Sequence, residues 1–150
     1  MTQFGERICS VALLLAAVST IGCSKSPFDL APVHGKVTID GKPVVAGRVM
    51  FAPIAKGESR EVGKPAFGTL QADGTFTLTT FEEGDGAVVG EHWVTIFGPD
   101  EETIVTPVST AGMPKFSRLS VPQKQSVAGN QENEIEVSLT SQDVAKFGKL

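Results

Sequence analysis

The side chains best suited to chemistry crowd into one stretch, FEEGDGAVVGEHWVTIFGP, residues 81–99. It holds Glu82, Glu83, Asp85, His92 and the single tryptophan, Trp93. A calcium ion takes about six to eight oxygen ligands, and the three clustered carboxylates offer a start. The Asp-x-Asp-x-Asp-Gly spacing of an EF-hand is missing, which leaves Glu82, Glu83 and Asp85 as weak calcium candidates. The expected reading is a turn, in which Gly84, Gly86 and Gly90 supply unusual dihedrals and Asp85 bonds local backbone amides. Asp40 and Asp73, each followed by glycine, are expected in turns for the same reason.

Zinc needs about three or four ligands, and after the leader described below the chain offers His34, His92 and one thiol. Neither histidine begins a His-Glu-x-x-His pattern, and no Gly-x-Ser-x-Gly elbow frames a nucleophile. No catalytic residue, metal or cofactor is therefore expected, and the chain reads as a non-enzyme. Trp93 stands apart. Alternation along EHWVTIF puts His92, Val94 and Ile96 on one face and Trp93, Thr95 and Phe97 on the other. Valine and isoleucine mark the first face as core. Large aromatics usually end up mostly buried, so residues 100–130 are expected to cover Trp93. An uncovered Trp93 and Phe97 would instead stack on a sugar ring or anchor a protein partner.

The elements that position these residues are short strands. Sixteen glycines, nine prolines and many Val, Thr and Phe residues favour turns and strands. A net charge of −4, with the lysines and arginines scattered, excludes a nucleic-acid footprint. VHGKVTI alternates, with Val33, Gly35, Val37 and Ile39 on one face. An Asp40-Gly41 turn follows, then GRVMFAP with Val49 and Phe51 inward. AFGTL, an Asp73-Gly74 turn, TFTLTT with Phe76 and Leu78 inward, EHWVTIF and finally NEIEVSL complete the set. About six such strands predict an all-β, antiparallel sandwich or open barrel without need of a disulfide. Pro53 and the charged flanks of the last strand are expected to protect sheet edges. Residues 100–130 lack a clear period, and TIVTPV and QKQSVA are the places where further strands fit.

The first thirty residues differ. After Arg7, the run ICSVALLLAAVSTI is apolar, small and too short to span a bilayer, as in a secretory signal peptide. Gly22-Cys23 at its end resembles the lipobox of bacterial lipoproteins, with Thr20 standing where leucine is usual. That resemblance implies cleavage after residue 22 and acylation (diacylglycerol and palmitate) of Cys23, which anchors the protein to the membrane. Cys9 leaves with the leader, so acylation also consumes the one remaining thiol, which an oxidising compartment would otherwise attack. Ser24, where lipoproteins retained at the inner membrane carry aspartate, implies the outer membrane. Residues 23–32 read as the lipidated cysteine and a tether.

The ordered series VHGKVTIDGKPVVAGRVMFAP, GTLQADGTFTLTT and EGDGAVVGEHWVTI resembles the carboxypeptidase regulatory-like, or transthyretin-like, domain of small bacterial envelope lipoproteins. MPKFS, with Phe116 where tyrosine is common, fits a further element of that pattern. The resemblance implies a prealbumin-like (Ig-like) sandwich of about seven strands over residues 33–140, followed by a C-terminal tail over 141–150. It implies no activity. Transthyretin-like hydrolases of purine breakdown end in Tyr-Arg-Gly-Ser, whereas this chain ends in KFGKL and has no tyrosine. The expected function is a non-catalytic, lipid-anchored envelope module with a structural or protein-binding role. The alternative is a carbohydrate-binding module that holds envelope polysaccharide on Trp93 and Phe97.

Overall fold

A computed structural model describes residues 28–57, 61–99 and 112–149. The expected signal peptide, Cys23, the first part of the expected tether and the TIVTPV segment lie outside the described residues. The fold is mostly β-strand in mixed sheets, with one short helix among the described residues. In chain order the elements are β1 (Leu30–Ala31), β2 (Val33–Ile39), β3 (Lys42–Pro43), β4 (Arg48–Pro53), β5 (Ala66–Thr69), β6 (Thr75–Thr77), β7 (Ala87–Val88), β8 (Gly90–Phe97), β9 (Arg118–Ser120), β10 (Gln125–Val127), β11 (Asn133–Leu139), α1 (Ser141–Phe147) and β12 (Gly148–Lys149).

Two sheets share one plan: a long strand is paired with another long strand on one side and with two short strands end to end on the other. In the first, β8 pairs with β4 on one edge and with β10 and β9 on the other, while β5 and β12 extend the sheet outward. In the second, β2 pairs with β11 on one edge and with β6 and β3 on the other. A bridge between Phe67 and Thr79 links the two near β5. The small β1–β7 pair closes one end.

The predicted inward residues are buried. Val33, Val37, Val49, Phe51, Phe76, Leu78, Val94, Ile96, Val137 and Leu139 all enter one hydrophobic cluster. Phe51 and Phe76 meet across the core with ring centroids 5.9 Å apart. Gly35 faces the same core, and a Cβ there would collide with the Ile135 carbonyl and the Phe76 ring, so glycine is what lets β11 and Phe76 close on β2. The Asp40-Gly41 hairpin has both central residues at positive φ, 50° and 74°, as a two-residue type I′ turn requires.

One expectation is corrected. Strand β11 runs parallel to β2 in unbroken register from Asn133↔Val33 to Leu139↔Ile39, so the fold is mixed rather than wholly antiparallel. Alternation fixes which side chains point inward but carries no strand direction. Pro53 pairs with His92 of β8 and lies beyond the end of β5, whose pairing with β4 stops at Phe51↔Ala66; β11 leaves another edge open, where Glu134 and Glu136 are exposed. Residues 141–149, expected as a C-terminal tail, carry α1 and β12. Thr140 caps α1 in a reciprocal capping box with Asp143, Val144 is buried, and β12 pairs with β9. Within residues 112–130, β9 and β10 form, and β10 lies inside the QKQSVA segment, where a further strand was expected.

Candidate functional site: the outer face of the β8 sheet

The acidic turn is held by its own aspartate. One Asp85 carboxylate oxygen accepts from the Thr80 amide at 2.7 Å, and the other from the Phe81 and Glu82 amides, each at 2.9 Å. Gly86, at φ 89°, packs against the Ala31 carbonyl, where a Cβ would collide. Glu82 and Glu83 are exposed. Among the described residues no group of three or more His, Cys, Asp or Glu side chains is placed to hold a metal ion. Asp73 likewise accepts from the Thr75 amide and hydroxyl, at 3.0 and 2.6 Å. Asp40 does more than turn the chain: it accepts from the Ser141 amide (3.0 Å) and hydroxyl, tying the hairpin to the start of α1.

The two histidines are kept apart. His92 points inward from β8 and is only 1% exposed, with its ring 5.9 Å from that of Phe51. Its Nδ1 donates to the Gly90 carbonyl at 3.2 Å, which puts the proton of the neutral ring on Nδ1. Burial lowers its pKa below the ordinary value, partly opposed by the Gly90 bond. His34 points outward from β2 in the other sheet, 3.3 Å from the Glu132 carboxylate.

Trp93 is 50% exposed, which overturns the expected burial. The β8 alternation holds as predicted. Cross-strand pairing then shows what surrounds the outward residues. One row across the sheet reads Thr69, Arg48, Phe97, Arg118, Lys149 on β5, β4, β8, β9 and β12. The next reads Phe67, Met50, Thr95, Ser120, and beyond it Ala52 lies opposite Trp93. Each aromatic on this face has a cation over it: Arg48 lies 5.2 Å from the Phe67 centroid, Arg118 5.9 Å from Phe97, and Lys124 5.4 Å from Trp93. Such contacts stabilise by about 0.5–1 kcal/mol where exposed. Trp93 and Phe97 are therefore on one face as predicted. Phe67 and the cations escaped the sequence reading because their neighbours belong to other strands. The one available signal was the alternation that puts Arg48 opposite in sense to Val49 and Phe51.

An open groove of about 790 Å³ begins at Arg48 and Phe67 and runs over β6 onto β2, lined further by Lys36, Thr77, His34 and Glu134. Its walls mix threonine hydroxyls and charged groups with the Phe67 and Phe76 rings.

No family model matches the chain, and no curated protein does. Among solved structures it is similar to a DUF3823 family protein from Parabacteroides merdae, at 16% identity and a TM-score of 0.41. It is also similar to (S)-allantoin synthase, at 14% identity and a TM-score of 0.43. Both matches cover 75% of this chain, and they cover 47% and 42% of those chains, so this chain spans less than half the length of either. The likeness is one of β-rich fold.

Proposed function

We propose that the protein is a non-catalytic, lipid-anchored β-sandwich module of the bacterial cell envelope, prealbumin-like in topology, that binds carbohydrate on the outer face of its β8 sheet. The observation that carries the reading is Trp93, half exposed in the middle of a sheet strand rather than covered. A large flat side chain left in water at a rigid position is the usual platform for a flat apolar ligand face. The non-catalytic reading draws support from the histidines, one buried with its Nδ1 proton held by a carbonyl and the other turned outward on a different sheet.

The anchor and the outer-membrane placement rest on Cys23 and Ser24. Metabolic labelling with palmitate is expected to mark the wild-type protein and not Cys23→Ser; equal labelling of the two sinks the anchor. Binding is read from Trp93 itself, since the chain has one tryptophan and no tyrosine. Emission is expected to be red-shifted in the free protein and to move saturably to the blue with an envelope polysaccharide. Emission that no polysaccharide alters returns the protein to the structural or protein-binding alternative.

A further inference from the structure

The outer face of the β8 sheet carries a charge at odds with the rest of the molecule. The chain has a net charge of −4. Yet among the described residues the face presents Arg48, Arg118, Lys124 and Lys149, against the single carboxylate of Glu91. Glu91 is taken up by Lys124 at 3.4 Å. Among the described residues, no carboxylate pairs with Arg48, Arg118 or Lys149. Arg118 and Lys149 stand directly opposite each other on β9 and β12, and Arg48 and Arg118 flank Phe97 from the two neighbouring strands. Two strand spacings separate those guanidinium-bearing positions by roughly 10 Å. Like charges placed directly opposite across a sheet destabilise it. The acids collect elsewhere, with Glu132, Glu134 and Glu136 on or beside the free β11 edge of the other sheet.

We infer that the ligand of this face is an acidic polysaccharide whose uronate carboxylates pair with Arg48 and Arg118 while its ring faces stack on Trp93 and Phe97. This rests on the carbohydrate-binding reading above and specifies the ligand's charge. Trp93 and Phe97 are four residues apart on one strand face, a span of about 14 Å. That length suits an oligosaccharide rather than a single ring. Arginine presents a planar fork that grips a carboxylate through two parallel hydrogen bonds, and a guanidinium already resting on an aromatic ring is held ready for it. An anionic bilayer fits less well. The aromatics lie mid-strand on a sheet, Phe97 is half-buried and Thr95 between them is buried, so the apolar side chains that reach water on this face, Trp93 and Phe67, stand apart on different strands rather than forming one broad apolar surface for acyl chains.

The test uses the full-length protein reconstituted in phosphatidylcholine vesicles. Trp93 emission is followed on titration with oligogalacturonate, its methyl ester, and a neutral cello-oligosaccharide, at low and high salt. Saturable binding of oligogalacturonate alone, weakened by salt, is expected. R48Q/R118Q is expected to lose about tenfold or more in affinity, since each charged hydrogen-bonding partner contributes strongly. R118Q and K124Q singly serve in its place if the double variant loses its fold by circular dichroism. Equal binding of the ester or the neutral sugar, or arginine variants that bind like wild type, would overturn the acidic ligand and leave carbohydrate binding standing. No response to any sugar would sink both. A shift only when phosphatidylglycerol is added to the vesicles, or self-association abolished by E134Q/E136Q in sedimentation, would reassign the face to lipid or to a second copy.

Discussion

Burial fixes the protonation of His92, and the consequence is a pH dependence of stability. The folded-state pKa lies below the ordinary 6.5 because the ring is sealed against Phe51, away from water. Above 6.5 neither the folded nor the unfolded chain holds the extra proton, and stability is full. As the pH falls below 6.5 the unfolded chain takes up a proton that the folded chain refuses, so stability declines until the folded pKa is passed. Thermal unfolding midpoints should therefore drop between pH 7 and 5, and His92→Leu should flatten that segment; a slope unchanged in His92→Leu would assign it to another group. Asp40, Asp73 and Asp143 titrate in a lower window. Hydrogen bonds from Ser141, Thr75 and Thr140, in that order, hold their carboxyls below 3.8, so their contribution is present above 3.8 and is lost as the pH falls further. Trp93 shows the opposite limit of sequence reasoning at this scale. Its face was readable from the alternation with His92 and Val94, but its cover depended on where residues thirty positions away would lie.

Elements were legible in proportion to their length and period. VHGKVTI, RVMFAP, GEHWVTIF and NEIEVSL each show enough alternation to declare both strand and inward face, and the burial patterns follow. The strands β9 and β10 have three residues apiece, too few for a period of two to stand out. Helix α1 hid because its capping box ends in Asp143 rather than the usual glutamate or glutamine, and its buried face is Val144 alone. That cap also makes α1 sensitive. The Thr140 hydroxyl accepts from the Asp143 amide at 3.2 Å, and the Asp143 carboxylate accepts from the Thr140 amide at 2.9 Å. Thr140→Ala should cost about 1 kcal/mol in urea unfolding. Because β12 continues directly from α1 into the β8 sheet, hydrogen exchange at Arg118 and Lys149 should quicken in the same variant. Unchanged protection there would mean that β12 docks independently of the helix.

Across the whole molecule, the packing of Phe51 on Phe76 joins the two sheets through one core. Phe51→Ala should destabilise by about 3–5 kcal/mol, a large part of the roughly 5–15 kcal/mol typical of a domain, and a loss below 1 kcal/mol would mean the sheets are held together elsewhere. The parallel pairing of β2 with β11 has a mechanical consequence. Both strands start at the same pole, so tension applied ahead of Leu30 and resisted anywhere beyond Leu139 would draw them in opposite directions along their length. The rungs from Val33 to Ile39 would then be loaded in shear, sharing the force instead of opening one after another as in a zipper. The β1–β7 pair, with two residue pairs, lies nearer the pull and would part first. A molecule pulled between its front and the segment beyond Leu139 would give way by a short slack before its main body bore the load.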